Sequence, residues 1–136
     1  MKVQTALLAR YAEVEQQGGL LNVTGGGIDV FGVSRLPADF PVAFVLQLSF
    51  DDAEADQPHE LAVTVLGPDL QPVGRRTTVP FTPTFGELHA AGWRGIFSVA
   101  GAIELTIEQI GAHSVQIDID GKQAGDIPFR AVPADE

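Results

Sequence analysis

A chain of 136 residues with 45% apolar side chains suits one domain with a real core and is too apolar for a disordered tail. Eighteen acids against eight bases leave a formal charge of −10, which repels a phosphate backbone and disfavours nucleic-acid binding. The bases are scattered, with Arg75 and Arg76 adjacent but no basic stripe, and the absence of cysteine excludes disulfides, thiolate zinc sites and cysteine nucleophiles.

The opening "MKVQTALLARYAEVE" has one lysine and a short apolar run broken by Arg10 and Glu13, a poor signal peptide. No apolar run approaches a membrane span, so the expectation is a soluble, cytoplasmic protein. Residues 5–15 carry two patterns at once. Leu7, Tyr11 and Val14 recur at helical spacing, with Gly18 as a C-cap. The same residues also alternate, with Leu8, Arg10, Ala12 and Val14 on one face and Leu7, Ala9, Tyr11 and Glu13 on the other. Gln17-Gly18-Gly19 is then a hairpin turn. Asn22-Val23-Thr24 matches a glycosylation sequon and, without a secretion signal, is read as chance.

"NVTGGGIDVFG" raises the question of a phosphate cradle. A dinucleotide fingerprint needs strand, G-x-G-x-x-G and helix; here Gly25 and Gly27 fit, but Val30 stands at the third position. The continuation "IDVFGV" is β-branched and apolar, and no P-loop lysine follows. Nor does a histidine precede the glycines, as an esterase oxyanion loop would require. The glycines are therefore expected to form a bulge or tight turn between strands, where positive φ is needed.

"PVAFVLQLSF" alternates, with Val42, Phe44, Leu46, Leu48 and Phe50 on one face. Its other face, Ala43, Val45, Gln47 and Ser49, is only half polar, which predicts a strand near the middle of a sheet. "DDAEADQPHE" offers Asp51, Asp52, Glu54, Asp56 and Glu60. EF-hand spacing is absent, so a solvated loop is expected rather than a calcium site. Leu61, Val63 and Val65 alternate before a Gly67-Pro68-Asp69 turn.

"FTPTFGELHAAGWRGIF" gathers Phe81, Phe85, Trp93 and Phe97 with Arg94. Thr84 and Glu87 fit a capping box and Gly92 a stop, which allows one short helical turn near residues 84–91. Tryptophan and arginine are enriched at binding hot spots, so Phe81, Phe85, Trp93 and Arg94 are the candidate binding residues. The competing expectation is that Trp93 seals one end of the core.

Near the end, Val115, Ile117 and Ile119 point inward, Gln116, Asp118 and Asp120 outward, and Asp120-Gly121 predicts a hairpin turn. Pro128 in the return strand belongs at an edge or bulge. Pro133 to Glu136 read as a frayed tail. His59, His89 and His113 form no H-x-x-x-H or H-E-x-x-H motif, and no G-x-S-x-G surrounds Ser34, Ser49, Ser98 or Ser114. Catalytic carboxylates cannot be picked out of eighteen acids without geometry.

Three segments, "ALLARYAEVEQQGGLLNVTGGGIDVF", "HAAGWRG" and "GAHSVQIDIDGKQAGDIPFRAV", together resemble an uncharacterised family of small bacterial proteins, a domain of unknown function. The resemblance covers most of the chain and is most specific in its first third. It implies a compact β-sandwich, no established activity, and a strand, turn and strand at the start, which favours the extended form of residues 5–15. It also implies an aromatic where this chain has His113. A tyrosine there would resemble the corner tyrosine of immunoglobulin-like sandwiches, and His113 departs from it.

The expectation is thus an all-β chain, a single immunoglobulin-like antiparallel β-sandwich of about seven or eight strands spanning residues 1–136. A non-catalytic interaction module binding a protein partner or itself is expected, without cofactor, metal, nucleic acid or membrane. The alternative is a small-ligand or glycan-binding domain near Trp93, and an unrecognised hydrolase is third.

Overall fold

The first strand shows why pairing overrides local propensity. In the computed structural model, which describes residues 1–135, β1 (Lys2–Val14) is extended throughout. A helix would bury Leu7, Tyr11 and Val14 along one stripe. Instead Leu8 enters the core, Ala9 is buried on the opposite face, and Tyr11 is exposed. Both edges of β1 find partners: β2 (Leu21–Gly26) on one side and β4 (Ala38–Phe50) on the other. Gly18 and Gly19, both at positive φ, turn the chain between β1 and β2.

The glycines at the end of β2 carry the chain from one sheet to the other. Gly25 and Gly27 have φ of 63° and 89°, and the Gly27 and Ile28 amides donate to the Leu8 carbonyl. No helix follows. The chain enters β3 (Val30–Val33), which pairs in parallel with β9 (Lys122–Pro133).

The central strand is β4, flanked by β1 and β7 (Gly95–Ile107) in a four-stranded sheet of order β2-β1-β4-β7. Its inner face is buried as the alternation predicts, and Ala43 and Val45 on its outer face are buried too. They pack with Ala9, and with Leu7, Ala12 and Leu21 of the first hairpin. The half-apolar outer face was the sign of a central position.

The second sheet has the order β3-β9-β8-β5-β6, with β5 (His59–Leu66), β6 (Pro72–Phe81) and β8 (Gly111–Ile119). Leu61, Val63, Val65, Val115, Ile117 and Ile119 face inward and share one core with Leu8, Leu46 and Leu48 of the first sheet. Asp120 and Gly121, at φ of 52° and 81°, form the tight turn between β8 and β9. That sign pair is the signature of a two-residue hairpin loop. Pro128, opposite Ser114, lies just before β3 begins to pair at Arg130, so β9 is locally an edge there.

Two expectations need correction. There are nine strands rather than seven or eight, because the glycines divide residues 21–33 into two strands lying in different sheets. Residues 84–91, where one short helical turn was the most expected, form no helix among the described residues. Two separate turns close instead, His89 N–H to the Gly86 carbonyl and Trp93 N–H to the Ala90 carbonyl, both at 3.1 Å. Pro133 is paired with Val33 and the Ala134 amide donates to the Val33 carbonyl, so the chain is held past the point where fraying was expected. Glu136 lies outside the described residues.

A Cβ at Gly27 would meet nothing within 4 Å, so its φ alone penalises a side chain. Gly27→Ala should lower unfolding free energy by about 1 kcal/mol. Gly25→Ala should cost about as much, because its φ is also positive and the exposed Arg10 guanidinium that its Cβ would meet can swing away. Urea denaturation of the two variants against wild type checks the sign and the size.

Candidate functional site

The segment between β6 and β7, residues 82–94, crosses one end of the sandwich, and its side chains sort into an anchor and a display. The anchor begins with the last core residue of β4. Phe50 stacks on Phe85 with ring centroids 4.9 Å apart, and Phe85 stacks on His89 at 3.5 Å with an interplanar angle of 12°. Gly95 permits this column, since a Cβ there would lie 2.5 Å from the Phe50 ring. His89 Nε2 is buried without a hydrogen-bond partner among the described residues and stands 3.7 Å from an Asp52 carboxylate oxygen.

Arg94 supplies the second anchor. Its Nε donates to Ser49 Oγ at 2.5 Å and one terminal nitrogen donates to the Ser49 carbonyl at 2.9 Å. The guanidinium also lies 3.9 Å from Asp51 and 3.7 Å from Glu54. Arg94 thus ties this segment to the end of β4 and to the acidic loop. Its charge is engaged within the chain rather than offered outward.

The display is apolar. Trp93 is 73% exposed and Leu88 99% exposed, with Ile96 half exposed beside them. Trp93 therefore does not seal the core; the Phe50–Phe85–His89 column occupies the place where a core-capping aromatic was expected. With Phe85, Leu88, His89, Arg94 and Ile96, Trp93 lines a shallow cleft of about 260 Å³. Phe81 is not part of it. It is buried, stacked between His59 at 5.6 Å and Phe97 at 5.1 Å. Of the four candidate residues, the structure brings Phe85, Trp93 and Arg94 together and assigns Phe81 to the core. Sequence reasoning missed Leu88, which stands alone among small and polar neighbours, and Ile96, whose outward direction beside Phe97 at the start of β7 no local pattern marks.

The acidic loop is ordered by its own contacts. Asp51 and Glu54 exchange hydrogen bonds between side chains and backbone amides, each at 3.0 Å, and Glu54 pairs with the Met1 amino group. Among the described residues no three His, Asp or Glu side chains come together as a metal-holding group. At its end, His59 Nδ1 lies 2.7 Å from Asp120 Oδ2 and Nε2 lies 2.9 Å from the Glu54 carbonyl. Both partners accept, so only the imidazolium can satisfy both. Burial opposes that charge, but the Asp120 carboxylate and the Glu54 carbonyl outweigh it and raise the His59 pKa above 6.5. The hydrogen bond from His59, reinforced by the Glu60 amide, lowers that of Asp120 below 3.8.

At the opposite end, His113 is 5% exposed and stacks on Phe129 with centroids 5.0 Å apart. Its Nδ1 donates to the Gly111 carbonyl at 3.0 Å. The imidazole thus holds the backbone at the start of β8.

A two-sheet all-β sandwich with an anchored aromatic segment across one end is the class of protein these features define. The chain belongs to a family of unknown function (DUF6941), whose profile residues 4–132 match. No curated protein matches it. Among solved structures it is similar to the Pseudomonas fluorescens alkylpurine DNA glycosylase AlkC bound to DNA containing an abasic site analog, at 14% identity and a TM-score of 0.37. That likeness covers 76% of this chain and 27% of the other, and it is too slight to carry any argument.

Two outcomes are expected from the anchors. Arg94→Ala should cost about 1 kcal/mol, the strength of charged hydrogen bonds discounted for exposure. Hydrogen exchange should accelerate across residues 84–94 and not in β5 or β8. The His59–Asp120 pair should stabilise the fold most between about pH 4 and 6.5. Above that window the raised His59 pKa means stability is lost as the imidazolium deprotonates; below it the lowered Asp120 pKa means stability is lost as the carboxyl protonates. Asp120→Asn keeps a favoured Asn-Gly turn but removes the charge. Urea melts at pH 5.5 and 8.5 should show the variant less stable than wild type at the lower pH, with the gap narrowing at the higher.

Proposed function

We propose that this protein is a non-catalytic interaction module that engages a protein partner through Leu88, Trp93 and Ile96. The observation that carries this reading is the exposure of Trp93 on a segment pinned by the Phe50–Phe85–His89 column and Arg94. A large aromatic held rigid in water gains by association, because little conformational entropy remains to be lost when it is covered. The surrounding cleft, about 260 Å³, falls below the size of pockets that enclose small ligands. A nearly flat apolar patch suits a protein surface better than a glycan or metabolite, which is the second reading.

The pairing of β4 with β7 opposite β5, β8 and β9 supports an immunoglobulin-like description, with strands B and E facing C, F and G. His113, near the start of β8, then takes the corner position. The net charge of −10 supports a partner other than nucleic acid. A cysteine-free chain needs no oxidising compartment, which supports a cytoplasmic setting. No helix among the described residues is long and apolar enough to cross a membrane.

Trp93→Ala and Leu88→Ser should leave the melting temperature within a few degrees of wild type, since both side chains are exposed. They should abolish retention of a partner that immobilised wild-type protein captures. Retention unchanged by both substitutions, or saturable binding on a glycan array lost with Trp93→Ala, would move the assignment away from a protein partner.

A further inference from the structure

Four strands form the outer edges of the two sheets: β2 and β7 in the first, β3 and β6 in the second. Three of them are blunted. β3 spans only Val30–Val33, β2 runs out into Gly25 and Gly26, and β6 carries Pro72, Pro80, Arg75 and Arg76. Short edges, glycine, proline and positive charge are the usual defences against unwanted strand pairing. Of these, β7 carries only glycine, Gly95 and Gly101, each with a phenylalanine ring packed where its Cβ would stand. It runs for 13 residues with Glu104 as its charged side chain and without proline. Among the described residues, β4 is its partner on one edge, and no backbone hydrogen bond closes the other.

Along that free edge the two sheets stand apart. A cleft of about 460 Å³ lies between β7 and β6, with Val63, Val65, Val73 and Ile103 inside it and Arg75 and Glu104 on its rim. This volume, unlike that beside Trp93, is within the range of binding clefts. Toward the start of β7 the seam holds a smaller opening of about 230 Å³, lined by Val14 of the first hairpin with Val79, Phe97 and Val99. The larger opening lies within the stretch Gly101 to Ile107.

We propose that this stretch is a strand-addition site, at which an extended basic segment of another protein pairs with β7. Each part of the occupant follows from the site. Unpaired amides and carbonyls along an extended edge are matched by another strand. A floor of valine and isoleucine selects apolar side chains at alternate positions, because a strand directs every second side chain to the same face. Glu104 has no ion-pair partner among the described residues, and the chain carries −10 overall. A basic side chain opposite Glu104 is thereby attracted, and a second copy of this chain is repelled. The site is distinct from the Trp93 surface and does not depend on it.

The test is selection of a random nine-residue peptide library on immobilised wild-type, Trp93→Ala and Glu104→Lys protein. The expected consensus alternates apolar residues and places lysine or arginine at one intervening position. It persists on Trp93→Ala and changes to aspartate or glutamate on Glu104→Lys. Binding of the wild-type consensus peptide should weaken roughly ten-fold or more on Glu104→Lys. Bound peptide should slow hydrogen exchange at the alternate amides of Gly101 to Ile107 that point away from β4. Three results would overturn the proposal: no enriched consensus, a consensus indifferent to Glu104→Lys, or sedimentation of the unliganded chain as a dimer with those amides already slowed.

Discussion

The burial of β4 on both faces is the constraint from which the rest of this structure follows. A strand with Phe44, Leu46 and Leu48 inward and Ala43 and Val45 outward must be covered twice. The opposing sheet covers the inner face. The outer face is narrow, because alanine and valine are small, and the first hairpin can close over it with Leu7, Ala12 and Leu21. This accounts for a 13-residue β1 that pairs with β4 only as far as Ala9 and then continues with β2 alone. The same strand sets the candidate site, since its last two residues hold both anchors: Ser49 receives Arg94, and Phe50 carries the stack on Phe85 and His89.

Electrostatics here is local rather than global. An acidic chain would be expected to spread its charge over solvent, and much of it does. Yet the loop after β4 uses its carboxylates structurally. Asp51 and Glu54 close the turn and face Arg94, while His59 joins that loop to the β8–β9 hairpin through Asp120. Three segments distant in sequence are joined at one end of the sandwich by these contacts. The exposed Trp93 is therefore displayed from a segment tied to that framework through Phe85, His89 and Arg94.

The two surfaces considered differ in kind. Around Trp93, apolar side chains protrude from a closed backbone, so the proposed recognition there would rest on side-chain burial. Along β7, one edge of the backbone is unpaired and side chains lie below it in a cleft, so the proposed strand addition would rest on main-chain hydrogen bonds first. Opposite ends of a free energy balance are used in the two cases: rigidity already present at the loop, and ordering of an extended partner at the edge.

Sequence alone determined the all-β class, the central place of β4, the inward faces of β5 and β8, the Asp120-Gly121 turn and the role of the glycines as a bend. Each rests on a local rule: side chains alternate along a strand, and positive φ favours glycine or Asp-Gly. Residues 5–15 satisfied two local rules at once, and only pairing with β2 and β4 decided between them. Tertiary structure also decided what no local pattern carries. Phe81 and Trp93 are both aromatics flanking one loop, yet one is buried against His59 and Phe97 and the other faces solvent. The hydrogen bonds from Arg94 to Ser49 likewise appear only in the folded chain, because they join residues 45 positions apart. The open edge of β7 was invisible as well, because whether a strand is central or marginal depends on which strands lie beside it, a property of the assembled sheet and not of the strand's own residues.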